Sequence, residues 1–434
     1  MRVRQVGGEA AREGNRLNRW RGKLPQGTAG RQLTAMALID ALGTGVFLSV
    51  SVLFLTGAVG LSVGQVSTGL ALAAGAGLLT TLPTGILADR WGVRRLLVIV
   101  AVWRALCMAI YAFVPNFTSF LVIAILMGCV DKAMAPLVQA LVGMAVPEAD
   151  RVRTMAVMGA LRNMGYSVGA LSGSVALALD TRASYTAVLL CSGALLMALA
   201  MVAARIPLLL GKATDSSHLG RRLSARVLTD RPFLSIAVLN VVLAMHLSLL
   251  TVGLPLWLST ATTAPRWMVS VLLAVNTALA VLFQVRASRG AGDLTKAARL
   301  MRVSGFSLAV ACLLLAATPS FSAVPAAGLL VLGVAALTAS ELFQSAGGWG
   351  ISYQLAREGQ EATYIALFWL SVGAQQVIGP LLINQLIHGG ALAWTVLAAV
   401  QVAAGLAVPP VTRWAAKTRS AETPEPEKQR SATA

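Results

Sequence analysis

The strongest constraint on this chain is a repeat. Stretches of about twenty apolar residues alternate with short polar ones along nearly the whole length. The apolar runs are Leu33–Ala58, Val66–Ala88, Leu96–Val114, Thr118–Gly143, Thr154–Leu179, Tyr185–Leu210, Phe233–Ser259, Trp267–Val285, Leu300–Thr318, Ala323–Ala346, Ala362–Ile387 and Ala391–Val411. Each is long enough to cross a hydrocarbon core about 30 Å thick. In lipid every backbone N–H and C=O must be satisfied inside the segment, so each run is expected to be a helix. Only 12% of the 434 residues are charged, about half the share of a soluble domain. The expected fold is therefore an all-α membrane protein with twelve transmembrane helices.

The net charge of +18 would suit a nucleic-acid binder, but its placement argues for topology. With the N-terminus inside, the outer loops carry only Arg182 and Arg266. Arg90, Arg94 and Arg95 follow the second run, Arg151 and Arg153 the fourth, and Arg286, Arg289, Lys296, Arg299 and Arg302 the eighth. Lys212, Arg221, Arg222 and Arg226 fill the central polar stretch, and Arg413, Lys417 and Arg419 follow the twelfth run. This positive-inside bias puts both termini in the cytoplasm, with no nucleic-acid partner. The basic segment before Leu33, from Arg2 to Arg31, can also rest on anionic lipid. Its polar residues precede the first apolar run, so no cleavable signal is expected. Cys107, Cys129, Cys191 and Cys312 lie singly inside runs and read as small hydrophobes, without a metal or disulfide set.

The polar stretch at 211–231 divides the chain into two blocks of six runs. The expected organisation is a basic tail over 1–32, a bundle over 33–210, a cytoplasmic linker over 211–231, a second bundle over 232–412 and a disordered tail over 413–434. Two six-span halves are a common layout of secondary transporters, with the substrate path between them.

Between the second and third runs stands Gly85-Ile-Leu-Ala-Asp89-Arg90-Trp-Gly92-Val93-Arg94-Arg95. Here the chain resembles the major facilitator superfamily, whose loop signature is Gly-x-Leu-Ala-Asp-Arg-x-Gly-Arg-Arg/Lys. Residue pattern, loop and span number agree; Val93 departs, where the family more often has a basic residue. The resemblance implies two pseudo-symmetric six-helix bundles. It also implies that Asp89 contacts the start of the eleventh helix in one conformation, making Gly85, Asp89, Arg90, Gly92, Arg94 and Arg95 a conformational latch. A carboxylate at a helix N-terminus is stabilised by about 0.3–1 kcal/mol, up to about 2 when partly buried. Gly85 and Gly92 supply close approach and special dihedrals. The second-half counterpart, Gln284 to Gly290, keeps basic residues but lacks the aspartate.

Exporters of this family often carry Gly-x-x-x-Gly-Pro-x-x-Gly-Gly in the fifth helix. This chain has Gly165, Gly169 and Gly173 at that spacing, with Ala170 for the proline and Ser174 for the last glycine. Four-residue spacing puts the three glycines on one helix face, where another backbone can approach. Gly379-Pro380 in the eleventh run is the matching element.

Ionisable groups inside apolar runs are costly and are functional candidates by default. The acids are Asp40, Asp131 and Glu341; the bases are Arg104, Lys132 and Arg162, with His246 titratable. At about 1.5 Å per residue, Asp40, Arg162 and Glu341 lie about 10, 12 and 8 Å from the inner ends of their helices, in one layer. Asp131 and Arg104 lie near mid-membrane. Asp40 is the expected leading proton carrier, with Gly43 and Gly45 keeping its helix face open; Asp131 and Glu341 rank next. Arg104, Lys132 and Arg162 are charge partners, and Arg162 is expected to hold one of the acids. The resemblance implies that the first, fourth, seventh and tenth helices line the cavity. Asn240, His246, Gln344, Trp369, Gln375, Gln376 and Asn384 are candidate cavity contacts for amphipathic or cationic organic molecules, while His246 also reads as a hydrogen-bonded helix contact. Trp257 and Trp267, near run ends, fit an interfacial aromatic belt.

No Gly-x-x-x-x-Gly-Lys-Ser/Thr loop, His-Glu-x-x-His or Asp-rich pair occurs. An ATP-driven pump, a metalloenzyme and a prenyltransferase are therefore not expected. The reading is a secondary transporter of the bacterial cytoplasmic membrane, monomeric, without cofactor or metal, using the proton gradient to export drug-like or secondary-metabolite compounds by antiport. Proton symport of a small metabolite, a lipid or lipid-linked flippase, and a ligand sensor without flux are the alternatives.

Overall fold

The computed structural model describes residues 27–179, 181–209, 224–265 and 267–422, without the side chains of 175–178, 224–226, 384 and 421–422. The N-terminal basic residues through Lys23, together with Lys212, Arg221, Arg222, Arg266 and residues 423–434, lie outside the described residues, as does the side chain of Asn384.

Among the described residues there is no strand. Ten helical segments are long and apolar enough to cross a membrane: Thr28–Ala58, Val63–Trp91, Phe117–Ala145, Arg182–Ala204, Arg231–Ala261, Met268–Ala287, Leu294–Ser320, Ala323–Gln354, Glu361–Ile383 and Gln385–Ser420. The third and fifth spans, Val93–Tyr111 and Glu148–Leu179, complete the twelve; Arg94, Arg95 and Arg104 fall in the third, and Glu148, Asp150, Arg151, Arg153 and Arg162 in the fifth. The protein is an all-α membrane protein of two six-helix bundles. It divides into two compact units, one of residues 27–77 and 93–209, the other of 78–92 and 224–422. Residues 78–92 are the C-terminal end of the second span, so the Gly85–Arg90 stretch belongs with the second unit.

Span boundaries are set by local chemistry. Asn116 and Ser119 form a reciprocal capping box before the fourth span, with Ser119 N–H donating to Asn116 Oδ1 at 3.0 Å. Thr181 and Ser184 repeat it before the sixth, at 3.1 Å. Each satisfies orphan N–H groups of a helix start. Gly92, at φ 89°, turns the chain from second to third span, a conformation that favours glycine. Gly390, at φ 56° and ψ −148°, kinks the long helix Glu361–Glu422 between the apolar runs Ala362–Ile387 and Ala391–Val411.

Several expectations are corrected. The fourth run is not one helix: it breaks after Asp131 and resumes at Met134. Pro136 has no N–H for the Lys132 carbonyl four residues back, and its ring crowds that turn. The seventh run breaks at Ala244–Met245 and passes through a π turn, Leu249–Gly253, just before Pro255. The last helix runs through Thr412 to Glu422, so Arg413, Lys417 and Arg419 are helical, whereas the sequence reading starts a disordered tail at 413. The linker reading, 211–231, also runs too far: Ser224–Thr229 is a 3-10 turn, Asp230 caps the next helix and Arg231 begins it.

Each unit has its own core. In the first, Tyr111 meets Phe47 and Phe120 edge-on, with centroids 5.3 and 6.0 Å apart. In the second, Trp257 meets Trp394 at 5.1 Å and donates its indole N–H to the Leu315 carbonyl at 3.0 Å. Trp257 is 2% exposed against 68% for Trp267. Trp257 is thus a core residue and not part of a belt, because its N–H finds a buried acceptor.

The glycines of the fifth span face the first. A Cβ on Gly165 would stand 2.6 Å from Ala41 Cβ, and one on Gly169 or Gly173 would collide with Leu42 O or Ser49 Oγ. Gly45 answers from the first span, with the Tyr166 carbonyl 2.5 Å from where its Cβ would lie. Gly45 therefore seats the fifth helix; it does not hold a cavity face open.

Candidate functional site

The first unit encloses a cavity of about 120 Å³ lined by Asp40, Arg104, Asp131, Arg162 and Tyr166 among others. Arg104 is shared. Its Nη1 donates to Asp40 Oδ1 at 3.1 Å, and its Nη2 forms an ion pair with Asp131 Oδ1 at 2.9 Å. The Arg104 side chain is 5% exposed, Asp40 17% and Asp131 45%. Asp131 ends the first half of the fourth span. A helix C-terminus carries partial negative charge, so an acid there needs a cation. Arg104 supplies it, reaching across from the third span. The two acids that the sequence puts at different depths therefore meet on one guanidinium.

Arg162 lines the same cavity but does not hold an acid, as the sequence reading has it. It donates from Nη2 to the Tyr166 hydroxyl at 3.0 Å. Arg104 has already taken both carboxylates. Lys132 sits at the break of the fourth span with its methylenes against Gly77.

Glu341 belongs to the second unit and accepts from Asn276 Nδ2 at 3.0 Å. Counting depth along a helix gives no rotation about its axis, so a shared depth names no partner for Asp40, Arg162 or Glu341. The polar candidates of the second bundle largely bind one another. Gln344 Nε2 donates to Asn240 Oδ1 at 2.7 Å, Asn240 Nδ2 to Ser371 Oγ at 2.8 Å, and Gln375 Nε2 to Ser248 Oγ at 2.8 Å. Asn240, His246, Gln344 and Gln375 are buried. The His246 Nδ1 lies 3.2 Å from the Leu243 carbonyl. Trp369 is half-buried, and Gln376 and Pro380 are exposed. Gly379 packs against Ser248 and Gln375.

Asp89 grips the start of the eleventh span. Its Oδ1 accepts from Ala362 N at 2.9 Å, and its Oδ2 accepts from Thr363 N at 2.9 Å and from the Thr363 hydroxyl. Gly85 permits the approach: a Cβ there would lie 2.5 Å from Ala366 Cβ and 2.9 Å from the Ala362 carbonyl. Arg94 donates to the Ile206 carbonyl at 3.1 Å, beyond the end of the sixth span. Arg90 and Arg95 are exposed, and Val93 is buried in the core.

One cluster was missed by sequence reasoning. Asp230 Oδ1 caps the seventh span by accepting from Phe233 N at 3.3 Å. Its Oδ2 accepts from the Tyr364 hydroxyl at 2.6 Å and from Arg419 Nη2, with Arg357 Nε at 3.7 Å. Arg419 also donates to the Leu355 carbonyl at 3.1 Å. The only local signal was Asp-x-Pro before an apolar run, a helix start. Burial works to raise the Asp230 carboxyl, but the bonds from Tyr364 and Arg419 outweigh it and hold the group below the ordinary carboxylate range. A depressed folded value means the stabilisation is complete above the ordinary value, about 3.9, and is lost as pH falls through the folded one. Asp230→Asn is expected to cost on the order of 1.5–3 kcal/mol at pH 7. In thermal melts of purified protein, the gap to wild type should narrow as pH falls below about 3.9. A gap independent of pH would contradict the ionised role.

Apolar spans in two six-helix bundles, with acidic and basic side chains inside one of them, are the layout of a secondary transporter. Residues 33–380 match the family model of the Major Facilitator Superfamily. The chain belongs to that superfamily. No curated protein sequence matches it. Among solved structures it is similar to the human organic anion transporter MFSD10 (TETRAN), with TM-score 0.64, 16% identity, and 88% of this chain and 100% of that one covered. It is likewise similar to a bacterial homologue of the iron transporter ferroportin in an outward-facing state, with TM-score 0.68, 15% identity and coverage of 89% and 99%. The proton:xylose symporter XylE aligns with TM-score 0.61, 13% identity and coverage of 86% and 93%. At these identities the likeness speaks for the fold.

Proposed function

We propose that this superfamily member is a proton-coupled antiporter that exports drug-like or secondary-metabolite compounds across the bacterial cytoplasmic membrane, with both termini in the cytoplasm. The neighbours in fold include an organic anion transporter, an iron transporter homologue and a proton:xylose symporter, so fold does not select the cargo. The supporting observation is the single guanidinium of Arg104 divided between Asp40 and Asp131 at the cavity.

The charge arithmetic fits exchange. Two acids and two arginines line the cavity, and the set is neutral when both acids are ionised. A proton on Asp40 brings it to +1 and leaves Arg104 to Asp131. An organic cation on the more exposed Asp131, with Asp40 deprotonated, brings it to the same +1. Proton and cation are then alternative occupants of one electrostatic site, which is the requirement for antiport.

The test is proton flux in energised inside-out vesicles, followed with a quenched dye as lipophilic cations and antibiotics are added. Wild type should show dye recovery. Asp40→Asn should lose uphill transport and keep exchange of substrate for substrate. Uphill transport by Asp40→Asn would remove Asp40 as the carrier. Absence of recovery with every compound, in folded protein, would overturn the export reading and favour uptake or lipid flipping.

A further inference from the structure

The cavity contains a second feature besides the ion pairs of Arg104. Arg162 and Tyr166 stand four residues apart on the fifth span, on one helix face, and both line the cavity. Among the described residues Arg162 has no ion pair, because Arg104 takes both neighbouring carboxylates. A guanidinium has five N–H donors. Arg162 uses Nη2 on the Tyr166 oxygen. Its other nitrogens are not among the buried, unbonded atoms, in contrast to Arg104 Nε, so they are open to the cavity. Tyr166 accepts that bond through oxygen, so its own O–H remains free to donate. The pair thus offers several donors and a positive charge, which is the complement of a carboxylate or similar acid.

We infer that Arg162 and Tyr166 form a subsite for an acidic group of the substrate, and that the transported compound is amphoteric. Its acid lies on Arg162 and Tyr166, and its basic group on Asp131. The two ends of the cavity then read two opposite charges on one molecule. The basic group still competes with the proton for the acids, while the acidic group adds a negative charge at Arg162, so the cavity loaded with an amphoteric compound is neutral where a cation alone would bring it to +1. The inference rests on the proposed transport function, since it takes this cavity as the place where cargo binds.

The test is equilibrium binding to the purified full chain in detergent by titration calorimetry. The probes are matched triplets on several aromatic scaffolds: a piperazine carboxylic acid, its methyl ester, and its N-acetyl derivative. Wild type should prefer the free acid to the ester by about tenfold or more, since a hydrogen bond to a charged group is worth about 1.5–3 kcal/mol. Arg162→Gln should erase that preference and leave ester affinity within about twofold, while Arg162→Lys keeps part of it. A purely structural clip to Tyr166 would weaken acid and ester alike, and that result overturns the subsite. So does a wild type that shows no acid preference on any scaffold, non-binding included. Acid preference that survives in Asp40→Asn, beside a failed vesicle assay, would sink proton coupling and leave the subsite standing.

Discussion

Arg104→Gln is expected to destabilise the first bundle more than any other single polar change there. The substitution removes the one cation that Asp40 and Asp131 share and leaves two carboxylates beside each other. Removing one partner of a buried pair typically costs about 3–5 kcal/mol, mostly for the stranded charge. Asp131 is 45% exposed, so its share is screened and the lower end of that range applies. Asp131 also loses the cation that offsets the negative end of its helix. The decisive comparison is a triple change, Arg104→Gln with Asp40→Asn and Asp131→Asn. It removes the network as a whole and leaves no stranded charge, so much of the loss should return. Thermal melts of purified protein read this directly. A triple variant no more stable than Arg104→Gln alone would mean that Arg104 acts by packing and not by charge.

The legible part of this protein is what period and punctuation encode. A run of about twenty apolar residues cannot do other than form a helix in lipid. Gly92 marks the turn between the second and third spans, and Gly85 the close approach, because no other residue fits either place. The glycines of the fifth span likewise announce a neighbour without naming it; the neighbour is the first span. Pro136 foretells the break after Asp131, a signal present in the sequence but passed over inside a strongly apolar run. The break at Ala244–Met245 has no such marker. What spacing cannot encode is the rotation of a helix about its axis and the partner it meets. Depth alone grouped Asp40 with Glu341, whereas Arg104 ties Asp40 to Asp131. The Asp230 cluster was invisible for the same reason. Its members sit in an apparent linker, an apolar run and an apparent tail, separated by 134 and 189 residues.

Asp89→Asn is expected to slow transport by about tenfold or more while changing substrate affinity by less than about twofold. Asp89 accepts three bonds at the start of the eleventh span, two from backbone N–H groups of the first turn and one from the Thr363 hydroxyl. Those N–H groups have no partner within their own helix, and the helix end carries partial positive charge. Asparagine keeps one acceptor and turns a donor amide towards groups that also donate. The loss is about 2–3 kcal/mol from charged hydrogen bonds and helix-end charge, or about 30- to 150-fold in the population that makes this contact. Residues 78–92 pack with the second unit, and Asp89 is not among the residues lining the Asp40 cavity. The change therefore acts on the occupancy of one conformation and not on the groups proposed to bind cargo. Thr363→Val, which removes one donor of the three, should slow transport less. Initial rates of exchange in vesicles, set beside equilibrium binding on the same variants, separate the two effects. A large loss of affinity with normal cycling would place Asp89 in the binding site and end its reading as a latch.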